Sequence, residues 1–418
     1  MRRVPVAVAC VAVATGLALL STIFEGKGGL QEAGCDALTF LATMSDSHVQ
    51  IAELGGTNFI LKAMTAHVPS EGVQTKCCGA LMRLAKNVDN HVQIASLDGI
   101  QAIVNALNAH PQSAMVQEQG YAALFAMAEN PDIRVQIAAQ GGIQAIVNAL
   151  NAHPQSEIVQ DGGWAALFAM AENPDYHVQI ATQGGIRAIV NSLNAHPQSE
   201  MVQERGCKAL SAMAMDYDTR VQIAAQGGIE ATVNALSAHP QSRSVQATAC
   251  EALGALAVNL DNHVKISSLG GIEAILNALK THLTSESVQA SGCGVLRVLA
   301  ENPAKQGIEA LKVILHAENQ VKIAKLGGIE AILEALKMHP KSGKVQEQGC
   351  GALLSLAANH DNQVRIATVG EAILEALKGH LQSERAQTIC YAALRPADVN
   401  PESQRKNADV DPESQRKN

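Results

Sequence analysis

The chain has 418 residues, of which 47% are apolar but only 2% aromatic, and its net charge is −8. A mild negative charge without clustered lysine and arginine excludes the basic footprint of a nucleic-acid binder, and so few aromatic rings exclude a base-stacking platform. A single compact core would be outgrown at this length, unless the chain is a repeat array in which stacked copies share one continuous core.

The chain opens on Arg2 and Arg3, after which Val4 to Phe24 carry no charge. That length and flank suit a membrane span or a signal sequence. Counted back by one repeat, however, Leu17 to Leu20 fall where later copies place their second helix. Residues 1–27 are therefore read as an anchor, a signal or a degenerate repeat helix. With Arg2 and Arg3 inside, an anchor would export the repeats.

From Val49 onward a Val-Gln/Lys/Arg-Ile motif returns at Val92, Val135, Val178, Val221, Val264, Val321 and Val364, in steps of 43 residues except for 57 between Val264 and Val321. Self-similarity at such a period marks a helical solenoid. Within one copy, Asp132 precedes a short first helix and is expected to cap its free N–H groups. Asp46, Asp89, Asp175, Asp218, Asp261 and Asp361 recur at that position, and Glu318 fills it once. Gly141-Gly142 should close the first helix through a left-handed residue. In the second helix Ile143, Ile146, Val147 and Leu150 form one apolar stripe, and His153-Pro154 stops it. The third helix starts near Ser156, with Val159, Gly163, Trp164, Ala166, Leu167, Met170 and Ala171 facing inward. Gly recurs at the position of Gly163, which predicts another backbone too close to admit a methyl group.

The pattern breaks in three places. The long step looks like two fused copies and predicts a kink or an extra helical turn near residues 304–318. The last copy loses two residues after Gly370. Residues 396–418 repeat an eleven-residue segment, hold little to bury and are expected to be disordered.

Cys35, Cys78, Cys207, Cys250, Cys293 and Cys350 share one register with Tyr121 and Trp164. A position shared by these types is a packing position. Equivalents in neighbouring copies should lie about 10 Å apart, one helix diameter, which is beyond disulfide reach. Free thiols and a reducing compartment are the expectation, and no Asn-x-Ser/Thr sequon opposes it. His67, His110, His153, His196, His239, His282, His339 and His380 also share a register, but ligands to one metal must converge, so these are read as structural. No metal or cofactor is expected, and neither a phosphate loop nor a nucleophile motif stands out, so the chain is not read as an enzyme.

The motifs Val178-Gln179-Ile180, Gly184-Gly185-Ile186 and Trp164-Ala165-Ala166-Leu167 make residues 28–395 resemble the armadillo repeat family. The resemblance implies an all-α, right-handed superhelical solenoid of about eight 43-residue three-helix units. Its third helices would line a concave groove that holds extended peptides or partner proteins. Family members that grip a peptide backbone place Asn or Trp on the third helix. Here the Asn position holds Arg83, Ala126, Ala169, Ala212, Ala255, Val298 and Ser355. The Trp position holds Gly79, Ala122, Ala165, Lys208, Glu251, Gly294 and Gly351. That gripping mode is therefore not supported.

The organisation read from the chain is a hydrophobic segment at 1–27, a solenoid at 28–395 and a tail at 396–418. The function read from it is a cytoplasmic, non-enzymatic scaffold or adaptor that binds other proteins along the third-helix groove. Glu118, Glu129, Asp161, Glu172 and Glu204 make the centre of that groove acidic and suited to basic segments, with Arg205 and Lys208 interrupting the stripe. The alternatives are a membrane-tethered form anchored by residues 4–24 and a transport receptor for basic cargo.

Overall fold

A computed structural model describes residues 28–42, 48–301, 310–377 and 388. The segments read as an anchor, a signal or a worn helix, and as a disordered tail, lie outside these residues. The described chain is helical, and it divides into two compact units between Asn259 and Leu260. Repeats are numbered below by their third helices, from Gly28–Leu41 as repeat one.

In the first unit repeats two to six each contribute the expected triplet. Repeat four runs through Pro131–Ala139, Gly142–Ala152 and Glu157–Ala171. The Ile of the recurring motif points inward, and Ile94, Ile137, Ile180 and Ile223 are all fully buried. The Val that marks the motif points outward; Val135 is 56% exposed. Ile143, Ile146, Val147 and Leu150 are buried as their spacing predicts. Burying each such side chain is worth roughly 1.5–3 kcal/mol, so the stripe holds the second helix on the core.

The helix boundaries have specific causes. Gly141 sits in the left-handed region at φ 83° and starts the second helix. Asp98 takes the same conformation at φ 63°, the one described non-glycine residue to do so. Ser156 caps the third helix by accepting from Val159 N at 3.4 Å. The first helix is capped by Asn130, which accepts from the N–H of Asp132 at 2.9 Å. This corrects the expectation for Asp132, which lies inside the first turn, where its charge favours the helix dipole. Asn87 and Asn173 cap in the same way. The Gly in the third helix also has a different cause from the one expected. A Cβ on Gly163 would lie 2.6 Å from Leu150 Cδ2, so a leucine side chain of the second helix, not a backbone, claims the space.

Buried polar side chains tie the triplets together. Gln117 Nε2 donates to Leu107 O at 2.8 Å and His110 O at 2.9 Å, closing the end of the second helix from the third. Gln74, Gln160, Gln203 and Gln246 repeat the pattern. His91 and His177 on first helices donate to the terminal carbonyls of Ala85 and Ala171, both at 2.7 Å. Helix ends thus find partners for carbonyls that no intrahelical donor reaches.

The second unit shows the breaks. Its third helices Glu286–Ala300 and Gly343–Leu356 pack directly on each other. The described part of the long step is helical: Ala310–Lys325 is one 16-residue helix in the place of an eight-residue first helix such as Asp261–Ser268. Residues 304–309 of the predicted irregularity lie outside the described chain. In the last copy His360–Leu377 is a single 18-residue helix. The shortened linker at Gly370 leaves no left-handed turn, and first and second helices run together.

Candidate functional site

Most of the described histidines in the recurring register are connectors, although His67 Nε2 is buried without a partner among the described residues. They begin the turn after a second helix, where the ring can reach back to the preceding repeat. His110 Nε2 meets Val68 O at 2.7 Å, His153 meets Pro111 O at 2.8 Å and His196 meets Pro154 O at 2.7 Å. A carbonyl can only accept, so each of these rings donates there from Nε2, to backbone one repeat away.

The third helices pack against their equivalents, and the predicted site residues lie on this layer. Glu118 is half-buried on Ala114–Met127, Asp161 on Glu157–Ala171, and Glu204 and Arg205 on Glu200–Met213. Glu129 and Glu172 are exposed at the ends of their helices, and Lys208 is exposed. The structure joins some of these and not others. Arg205 Nε meets Asp161 Oδ1 at 2.5 Å across two repeats. Lys208 Nζ lies 4.6 Å from the centre of the Phe168 ring, within cation–π range. Glu172 is met by Arg134 at 3.4 Å. Among the described residues Glu118, Glu129 and Glu204 form no ion pair. Burial holds the Asp161 carboxyl above its ordinary value, against the opposing pull of Arg205.

Apolar side chains accompany the acids one helical turn earlier. Met115, Ile158 and Met201 are exposed and stand three residues before Glu118, Asp161 and Glu204. Residues three apart share a helix face, so each of three successive repeats offers an apolar group beside a carboxylate. Sequence reasoning missed this pairing, although the recurrence at 115, 158 and 201 was the signal for it.

Below this face the register shared by Cys, Tyr and Trp is buried, as expected. Trp164 donates its indole N–H to Ser192 Oγ at 3.0 Å. Most other repeats hold Ala at the position of Ser192. Tyr121 donates to Val159 O at 3.1 Å. Burial and the charges of Glu118 and Asp161 push its hydroxyl up, so it stays protonated.

The expectation of free thiols throughout is overturned. Cys35 and Cys77 form a disulfide between adjoining repeats, with Cα atoms 5.3 Å apart. Cys350 is also disulfide-bonded. The separation of helix axes was the wrong measure: residues that face each other across two packed helices come far closer than the axes do. The partner of Cys35 is Cys77, one residue before the shared register. Cys78, Cys207 and Cys293 are free and buried, and burial pushes each thiol up to about 12. Among the described residues no helix is long and apolar enough to cross a membrane.

Triplets of helices stacked through their third members, with a left-handed turn before the second helix in all described copies but the last, define an armadillo-type solenoid. Residues 228–371 match the family model described as the LRRK2 ARM repeat. A structure from work on a conserved phosphorylation switch that controls the interaction between cadherin and beta-catenin aligns over 92% of this chain and 85% of its own, with 16% identity and a TM-score of 0.59. The crystal structure of an engineered protein aligns over 58% of this chain and 96% of its own, with 23% identity and a TM-score of 0.50. No curated protein matches the chain. The fold is thus that of an armadillo-type solenoid, and residues 228–371 match an armadillo-repeat family model.

Proposed function

We propose that the chain is a non-enzymatic scaffold that engages partner proteins along the third-helix face of repeats three to five and favours basic, partly apolar segments. The observation that carries this reading is the row Met115/Glu118, Ile158/Asp161 and Met201/Glu204, in which Glu118 and Glu204 have no cation of their own among the described residues. Glu129 and Glu172 extend the acidic edge, while Arg205 and Lys208 sit within it as internal cations. A surface of one sign raises the local concentration of oppositely charged segments. Replacing Glu118, Asp161 and Glu204 together by Lys should abolish capture of partner proteins by the full chain while its helical spectrum stays intact. Undiminished capture of the same partners would reject the reading.

One observation favours a second reading for the setting. The disulfides at Cys35–Cys77 and Cys350 suit an oxidising compartment. They remove the thiol argument against export of the repeats behind an anchor at residues 4–24. A membrane-tethered, exported scaffold predicts sedimentation with membranes that is lost on deleting residues 1–27. Equal solubility of both forms would leave the cytoplasmic setting.

A further inference from the structure

Repeats three and four carry a carboxylate, Glu118 and Asp161, and a phenylalanine ring at matching positions of their third helices but differ in what covers them. In repeat four Asp161 and Phe168 are covered from repeat five, by Arg205 at 2.5 Å and by Lys208 at 4.6 Å from the ring centre. In repeat three the equivalents 43 residues earlier are Glu118 and Phe125. The positions that would cover them, 162 and 165, hold Gly and Ala. Neither residue can reach a carboxylate or a ring. Phe125 is accordingly 40% exposed. Among the described residues Glu118 has one side-chain hydrogen bond, a long one of 3.5 Å from its neighbour Gln119. The absence at 162 is built into the packing, because a Cβ there would lie 2.6 Å from the ring of Tyr121. Tyr121 thus keeps the position above it clear.

We propose that Glu118 and Phe125 form an open seat for two cationic side chains of a partner, a guanidinium against Glu118 and an ammonium over Phe125. The chain itself displays the filled form of this seat one repeat later. The proposal rests on the third-helix face being the binding face, and it names the partner chemistry there. Glu118 and Phe125 are seven residues apart on one helix, about 10 Å along its axis. An extended segment covers that distance in about three residues. The partner is therefore an extended protein segment with Arg and Lys three residues apart.

The test uses the full chain and a fluorescein-labelled, otherwise Gly/Ser peptide carrying one Arg and one Lys at that spacing, followed by fluorescence anisotropy at low salt. Phe125→Ala and Glu118→Gln should each weaken binding about three- to fivefold, the scale of an exposed cation–π or ion-pair contact. Ala165→Lys is the sharper variant. It places an internal ammonium where Lys208 stands in the next repeat, so it should weaken peptide binding to a similar extent with no loss of thermal stability. Unchanged affinity in both Phe125→Ala and Ala165→Lys would overturn the proposal. If affinity falls with Glu129→Gln and Glu204→Gln but not with Phe125→Ala, the seat is refuted while the acidic face survives. No binding to the parent chain would refute both.

Discussion

Repeats one and two solve a packing problem that repeats three and four solve differently, and the contrast shows how a repeat array tolerates change. One buried register position holds Cys35 and Cys78 in the first pair and Tyr121 and Trp164 in the second. In the first pair the small side chain leaves Cys35 facing Cys77, and a disulfide joins the two repeats. In the second pair each large side chain is answered by its neighbour. Gly162 makes room for the Tyr121 ring, and Ser192 accepts the Trp164 indole N–H. A departure from the consensus in one repeat is compensated in the next, and the repeats come to differ in their surfaces as a result. Gly162 is both the space for Tyr121 and the reason Glu118 has no Arg205 of its own.

The largest effect expected from breaking this contrast is in repeat four. Trp164→Ala should cost about 4 kcal/mol in urea unfolding, since the ring is fully buried and its neighbours cannot collapse fully. In the first pair, Cys77→Ser removes a cross-link with a sequence separation of 42. It should cost about 2–4 kcal/mol, seen as faster amide exchange confined to the first two repeats. Ser192→Ala leaves the indole N–H unpaired and should cost about 1–2 kcal/mol. The same change should be nearly neutral beside Trp164→Phe, so a double-mutant cycle isolates the compensation. Asp98 is a departure without compensation. Asp98→Gly should therefore raise stability by about 1 kcal/mol, because only glycine takes its left-handed conformation freely.

The smallest effect is electrostatic. Burial outweighs Arg205 at Asp161, so the carboxyl's folded value lies above its ordinary 3.8. Its charged form is then disfavoured in the folded chain at neutral pH. That penalty fades as the pH falls through the raised value and is gone below the ordinary one. Asp161→Asn should gain about 0.5 kcal/mol or less at neutral pH, and the gain should disappear in acid.

Much of the fold was legible because periodicity along the chain is a direct record of which side each residue faces. The second-helix stripe of Ile143, Ile146, Val147 and Leu150, the left-handed turn at Gly141 and the burial of Trp164 are all consequences of spacing alone. What the period does not record is the phase between neighbouring helices. Asn130 rather than Asp132 caps the first helix, Leu150 rather than a backbone excludes a side chain at Gly163, and Cys35 meets Cys77 rather than Cys78. Each depends on an offset of one or two residues across a packed interface. The acids of the candidate face were legible as exposed charges. That Arg205 reaches back to Asp161, and Lys208 to Phe168, was not, because both contacts cross between repeats.

The most direct measurement is amide hydrogen exchange on the full chain with a basic partner segment bound. Protection should concentrate on the third helices of repeats three and four, Ala114–Met127 and Glu157–Ala171. Protection confined to the second helices, or spread evenly over all repeats, would contradict the third-helix face as the working surface.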